Sequence, residues 1–249
     1  MTVKYYDWVE YQSNFRPEKI AIKEISSGKE LSYKTLNDRS KALAGWLQKN
    51  GIEKGDRVAI LSHNCAEVFE LEFACGKIGG IELPLNWRLT KPELEYILKD
   101  SSPKVLIYSI EFKEIAEALL KDCDIKNSLE IEENNFSSSY ESAISENNDF
   151  NSVECTHDDL IMLMYTSGTT GHPKGAMITH RMQFFNIVNL ASTARITDKA
   201  VQLVSLPLFH TGGMNCYANP VLHNGGQIIL TKEFDPGKAL EIINNPDYG

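Results

Sequence analysis

RVAILSHNCAEVFELEFACGKIGGIELPLNWRLTKPELEYILKDSSPKVLIY, residues 57–108, decides the fold class. Short β-rich runs stand at Arg57–Leu61, Ile81–Leu85 and Lys104–Tyr108. Between the first two, Val68, Leu71, Cys75 and Ile78 recur at helical spacing. Between the second and third, Thr90 and Glu93 have the spacing of a capping box, and Leu94, Ile97 and Leu98 share one helical face. Short apolar strands separated by amphipathic helices imply βαβ units. The expectation is therefore an α/β fold of mainly parallel sheets flanked by helices. In such folds ligands collect beyond the carboxyl ends of the strands.

The alternation extends outward in both directions. Upstream, Ser32 can cap a helix carrying Leu36, Leu43 and Leu47, and Gly51 can end it. Downstream, residues 122 to about 158 are acidic and rich in Ser and Asn, which predicts a solvated excursion or partly mobile linker. The pattern resumes at Leu160, and Val201–Leu206 and Gln227–Leu230 read as strands of a second sheet. The expected division is an amino-terminal α/β subdomain over 1–158, ending in the acidic excursion, and the start of a second α/β subdomain over 159–249.

Composition narrows the function classes. The 249 residues are 42% hydrophobic and 24% charged with net charge −9, as in a soluble globular protein. No basic stripe is present, so the electrostatic footprint of a nucleic-acid binder is missing. Five cysteines without a CxxC pair, and no signal peptide ahead of them, read as reduced thiols in a cytoplasmic protein. The longest apolar run, Leu160–Tyr165, is far too short to cross a bilayer, so any membrane contact would be peripheral.

The chemistry concentrates at Tyr165–Gly175, YTSGTTGHPKG, directly after the apolar run LIMLM. Glycines let backbone amides approach a ligand closely, and successive amides in such a turn form an anion-binding concavity. Ser167, Thr169 and Thr170 add hydroxyl donors, and Lys174 adds a compact positive charge suited to phosphate. The spacing departs from a Walker A loop, because Pro173 stands where glycine is required and Gly175 follows the lysine. Further on, Leu206–Gly213 (LPLFHTGG) places His210 and Thr211 before two glycines that again suggest close approach of a ligand.

At these residues the chain resembles the adenylate-forming superfamily: acyl- and aryl-CoA synthetases, firefly luciferase and the adenylation domains of peptide synthetases. YTSGTTGHPKG is similar to the family's phosphate loop, and LPLFHTGG to its next motif beside the acyl pocket. The looser runs GDRVAILSHN and IELPLNWRLTKPELEYIL extend the resemblance over about Tyr5–Gly249.

The resemblance implies a two-step reaction. A carboxylate attacks the α-phosphate of ATP, giving an acyl-adenylate and pyrophosphate; a thiol, usually of coenzyme A, then displaces AMP. It implies that Thr166, Ser167, Gly168, Thr169, Thr170, Gly171 and Lys174 hold the β- and γ-phosphates. Thr166 would also serve Mg²⁺, since a hydroxyl oxygen suits that hard cation. Lys174 and His210 become the catalytic candidates, and His210, Thr211, Gly212 and Gly213 the substrate-facing ones. Phe209-His210 has no acid beside it, which favours an acyl or aryl acid over an amino acid.

The leading expectation is an acyl-CoA ligase acting on fatty acids. Transfer to a carrier-protein thiol, an aryl-acid substrate, and a non-catalytic nucleotide-binding module are the alternatives. His180 is expected to support the loop structurally. The family's later motifs, aromatic-Gly-x-Thr-Glu and Thr-Gly-Asp, and the domain bearing its catalytic lysine are not found, so this span by itself is expected to be inactive.

Overall fold

The computed structural model describes residues 3–146, 149–166 and 173–246. In chain order the elements are α1 (Trp8–Phe15), β1 (Ile20–Glu24), β2 (Glu30–Ser32), α2 (Tyr33–Lys49), β3 (Arg57–Leu61), α3 (Ala66–Ile78), β4 (Ile81–Pro84), α4 (Lys91–Ser101) and β5 (Val105–Ser109). Then follow α5 (Lys113–Asp122), β6 (Asn127–Ile131), α6 (Ser139–Ser145), β7 (Leu160–Thr166), β8 (Lys174–Thr179), α7 (His180–Ala194), β9 (Val201–Val204), α8 (Asn219–His223), β10 (Gln227–Leu230) and α9 (Pro236–Asn244). The chain divides into two compact units. One comprises Met1–Tyr5, Arg39–Ser62 and Glu70–His180; the other comprises Tyr6–Asp38, His63–Phe69 and Arg181–Gly249.

The first unit holds a six-stranded sheet in the order β6-β5-β3-β4-β7-β8. Its strands run parallel except β8, which returns antiparallel to β7 at the edge. The inner strands are apolar nearly throughout because helices cover them: Ala59, Leu61, Leu83 and Leu106 pack in one buried cluster with Leu94, Ile97 and Leu98 of α4 and Leu119 of α5. Each such leucine contributes about 2 kcal/mol by leaving water. The capping box forms as its spacing predicts: the Glu93 carboxylate accepts from the Thr90 amide at 2.8 Å and from its hydroxyl at 2.7 Å. Those two donors hold the Glu93 carboxyl below its ordinary range.

Within residues 122–158, the segments 127–131 and 139–145 are not a solvated excursion. Asn127–Ile131 adds β6 to the sheet, parallel to β5, with Leu129 and Ile131 buried. Ser138 caps α6 by accepting from the Glu141 amide, and Tyr140 is fully buried. An ion network holds this helix: Arg39 donates to Glu70 Oε1 at 2.6 Å and forks onto both Glu141 oxygens at 2.8 and 2.6 Å. Tyr140 donates to the other Glu70 oxygen at 2.8 Å. One of the acids that suggested solvation, Glu141, is the partner of a half-buried arginine, a pairing that composition does not reveal.

The second unit holds the order β2-β1-β10-β9. β1 and β2 form an antiparallel pair, while β10 lies parallel to both β1 and β9, with Ile22 opposite Ile228 and Ile229 opposite Leu203. Gln227–Leu230 thus belongs to a second sheet as its composition predicts, and so does Val201–Val204, two residues shorter than the expected Val201–Leu206. Among the described residues no helix is long and apolar enough to cross a membrane.

Candidate functional site

Two segments carry the chemistry, one in each unit. In the first unit β7 and β8 form an antiparallel ladder that ends on the pair Thr166–Lys174. Directly opposed residues point to the same face, so the Thr166 and Lys174 side chains leave the same face at the end of the ladder, both exposed. Ser167, Gly168, Thr169, Thr170 and Gly171 lie outside the described residues.

One rung inward, Tyr165 faces Gly175 on the opposite face. A Cβ at Gly175 would lie 2.9 Å from Leu163 Cδ1 and 3.2 Å from the Tyr165 ring. The glycine of this rung therefore makes room for the chain's own tyrosine. Where β8 ends, His180 is buried, stacked on Tyr5 at 3.9 Å, and its amide donates to the Asp159 carbonyl at 3.0 Å. Burial lowers its pKa to about 4, so the ring is neutral above that range.

In the second unit, LPLFHTGG follows β9 and leads into a π-helical turn at Gly212–Ala218, a backbone form that often marks functional sites. His210 is exposed, and its Nδ1 accepts from the Gly212 amide at 3.1 Å. An accepting Nδ1 assigns the ring proton to Nε2, leaving an N–H donor directed away from the turn. Gly213 has no room for a side chain: a Cβ would meet the carbonyl oxygens of Pro207 and Leu206 at 2.5 and 2.6 Å. The close approach at this glycine is thus made by the chain's own backbone.

Asn64 is the support that sequence reasoning missed. Its buried amide donates to the carbonyls of Leu206 at 3.0 Å and Thr231 at 3.1 Å, and its Oδ1 accepts from the Leu208 amide at 2.9 Å. A second amide, Asn215, donates to the Thr211 hydroxyl at 3.4 Å, while its carbonyl accepts from Asn186 at 2.7 Å. Nothing local marks Asn64, since its partners lie 142 to 167 residues away. Beside the motif, Leu203, Ser205, Leu206, Tyr217 and Phe234 line a mostly apolar pocket of about 270 Å³.

Among the described residues no group of three or more His, Cys, Asp or Glu side chains could hold a metal ion, and all five cysteines are free thiols.

The model of the AMP-binding enzyme family matches residues 9–246. Feruloyl-CoA synthase of an Amycolatopsis species is 36% identical over 236 residues, covering 95% of this chain and 45% of that protein. The long-chain-fatty-acid–CoA ligase FadD13 of Mycobacterium tuberculosis is 33% identical over 229 residues, covering 91% of this chain and 45% of that protein. A crystal structure from Rhodopseudomonas palustris, titled as a long-chain-fatty-acid CoA ligase, superposes with a TM-score of 0.87 at 27% identity, over 97% of this chain and 61% of that one. The chain spans about half the length of the curated relatives it matches.

Proposed function

The chain belongs to the AMP-binding enzyme family, and on that premise we propose that its whole protein is an ATP-dependent acid–thiol ligase that turns a carboxylic acid into its coenzyme A thioester. The carboxylate displaces pyrophosphate from the α-phosphate of ATP, and the coenzyme A thiol then displaces AMP from the acyl-adenylate. The observation that carries this reading is the Thr166–Lys174 rung, which holds a hydroxyl and a cation together where β7 runs into the Gly/Ser/Thr-rich motif.

In this reading Lys174 neutralises the β- and γ-phosphates as pyrophosphate leaves, with Ser167, Gly168, Thr169, Thr170 and Gly171 as further phosphate donors. Thr166 supplies a hydroxyl oxygen to Mg²⁺. Such a site suits an ion that keeps several waters and is otherwise held by the phosphates, which neutralises their charge. The Nε2–H of His210 is available to the adenylate or to the incoming thiol, and Thr211, Gly212 and Gly213 shape the turn that presents it.

The acid is a fatty acid, in keeping with the apolar pocket at Leu206, Tyr217 and Phe234 and with the FadD13 relative. An aryl acid is the second reading, favoured by the 36% identity to a feruloyl-CoA synthase. The free thiols accord with a cytoplasmic reaction, with membrane contact peripheral at most. We expect the present span alone to turn over negligibly.

The test is carboxylate-dependent exchange of labelled pyrophosphate into ATP by the full-length protein, over a panel of fatty, aryl and amino acids. Exchange with fatty acids, followed by coenzyme A-dependent thioester formation, supports the reading. Exchange with amino acids alone, or thioester formation only on a carrier protein, overturns it.

A further inference from the structure

Asp100 occupies the last turn of α4, where a carboxylate opposes the helix dipole. An acid at that place needs a partner, and the Tyr165 hydroxyl donates to its Oδ2 at 2.5 Å. Partial burial and the neighbouring carboxylate push the Tyr165 phenol well above its ordinary range, so it stays a donor at any working pH. The ring is fixed from both sides: it packs, with Leu163, against the cluster that α4 builds, and it passes over the bare backbone of Gly175. Tyr165 is also the last residue of β7 before Thr166, and β8 beside it is the sheet edge. An edge ladder of two strands frays at its end unless something ties it.

We propose that Tyr165 is a positioning residue, whose tie to Asp100 and seat over Gly175 hold Thr166 and Lys174 in the register needed to bind phosphate. The tyrosine touches no substrate; it acts through the rung next to it, whose side chains emerge on the opposite face of the sheet. This inference rests on the phosphate-binding reading of that rung.

The test uses the full-length protein with Mg-ATP as the probe. Two readouts are taken: Mg-ATP affinity, and amide exchange over Met164–Thr166 and Lys174–Ala176. In Tyr165→Phe the ring stays and the tie goes. Affinity is expected to fall about fivefold, the worth of one hydrogen bond, with faster exchange confined to these amides. Asp100→Ala should match it, the double variant should be no worse, and Asp100→Asn, which keeps an acceptor, should return affinity to within twofold of wild type. Ile60→Val, a mild core change on β3, is the control: it should lower the thermal midpoint without moving affinity.

Wild-type binding with Tyr165→Phe unchanged overturns the positioning role and leaves the phosphate site standing. Equal losses in Tyr165→Phe and Ile60→Val also overturn it, since general destabilisation would then suffice. No Mg-ATP binding by wild type, in a chain that folds, overturns the phosphate reading and this inference with it.

Discussion

The two glycine-containing motifs are built on opposite plans. At the β7–β8 end the Tyr165–Asp100 tie and a ring seated on Gly175 support an exposed edge, so the side chains proposed to bind phosphate stand on lightly anchored backbone. At Leu206–Gly213 the buried Asn64 holds the turn by two hydrogen bonds, to the Leu206 carbonyl and from the Leu208 amide, and ties it to the Thr231 carbonyl by a third, while Gly213 is pressed against two carbonyl oxygens. The first arrangement suits a segment that must adjust to phosphates as they arrive and leave. The second suits a fixed presentation of His210. Glycine does the same steric service in both, making room for the chain itself, though its neighbours differ: flexible side chains in one, rigid backbone in the other.

The contrast can be broken most sharply at Asn64. Asn64→Ala leaves the buried Thr231 carbonyl, the buried Leu208 amide and the part-buried Leu206 carbonyl without this partner, and we expect a loss of about 2 kcal/mol in denaturant unfolding. A loss below about 1 kcal/mol would mean that water replaces the clamp, and the two regions would no longer differ in kind.

The glycines come next. Gly213→Ala drives a Cβ into backbone and should cost about 2–3 kcal/mol, whereas Gly175→Ala meets a leucine methyl and a tyrosine edge that can shift, for about 1 kcal/mol. Equal costs, measured by thermal unfolding, would remove the distinction between rigid and adjustable support.

The sheet beneath the first motif also has a pH signature of its own. Glu82 of β4 lies opposite Met162 of β7, is fully buried, and neither of its oxygens has a hydrogen-bond partner among the described residues. Burial and the nearby Glu72 charge raise its pKa well above the ordinary carboxyl value; Cys75, also raised by burial, stands beside the pair on α3. The folded state therefore keeps a proton that the unfolded chain releases near pH 4. Stability is fully present below that value and falls as pH rises towards the folded pKa, by about 1.4 kcal/mol per pH unit. Glu82→Gln should flatten this slope as pH rises above the unfolded carboxyl value; parallel profiles for the two proteins would show that Glu82 folds ionised.

The smallest effect on stability is expected at Lys174. Lys174→Ala, at an exposed edge, should change unfolding by less than about 0.5 kcal/mol. It should weaken Mg-ATP binding about tenfold, as loss of a charged hydrogen bond does. A stability loss comparable to Gly175→Ala would reassign the lysine to the fold.

Much of the first unit is legible in the sequence because its signals are local. Thr90 and Glu93 are three residues apart and meet in the capping box; Leu94, Ile97 and Leu98 line one face; RVAIL and KVLIY are covered strands. The same local reading misjudged the part of the stretch that forms β6 and α6, where Leu129 and Ile131 fill only alternate positions among polar neighbours and Glu141 finds Arg39 from another element. At the candidate site, residue types and spacing single out Lys174, and the family resemblance adds Thr166 and His210. They do not reveal that Gly175 serves Tyr165, or that Asp100 and Asn64 hold the two segments.

The sequence by itself determined the α/β class, strands β3, β4, β5 and β10, helices α2, α3 and α4, and the two motifs, because periodicity, caps and turn glycines act within a few residues of chain. Only the tertiary structure decided that β1 pairs with β10, that β8 turns back antiparallel at an edge, and that Asn64 and Asp100 find partners 65 to 167 residues away. Those contacts depend on which strands lie side by side and which face each residue takes. One hydrogen bond between distant residues is worth about 1 kcal/mol and leaves no periodic trace in the chain; the packing of the whole core chooses its partner.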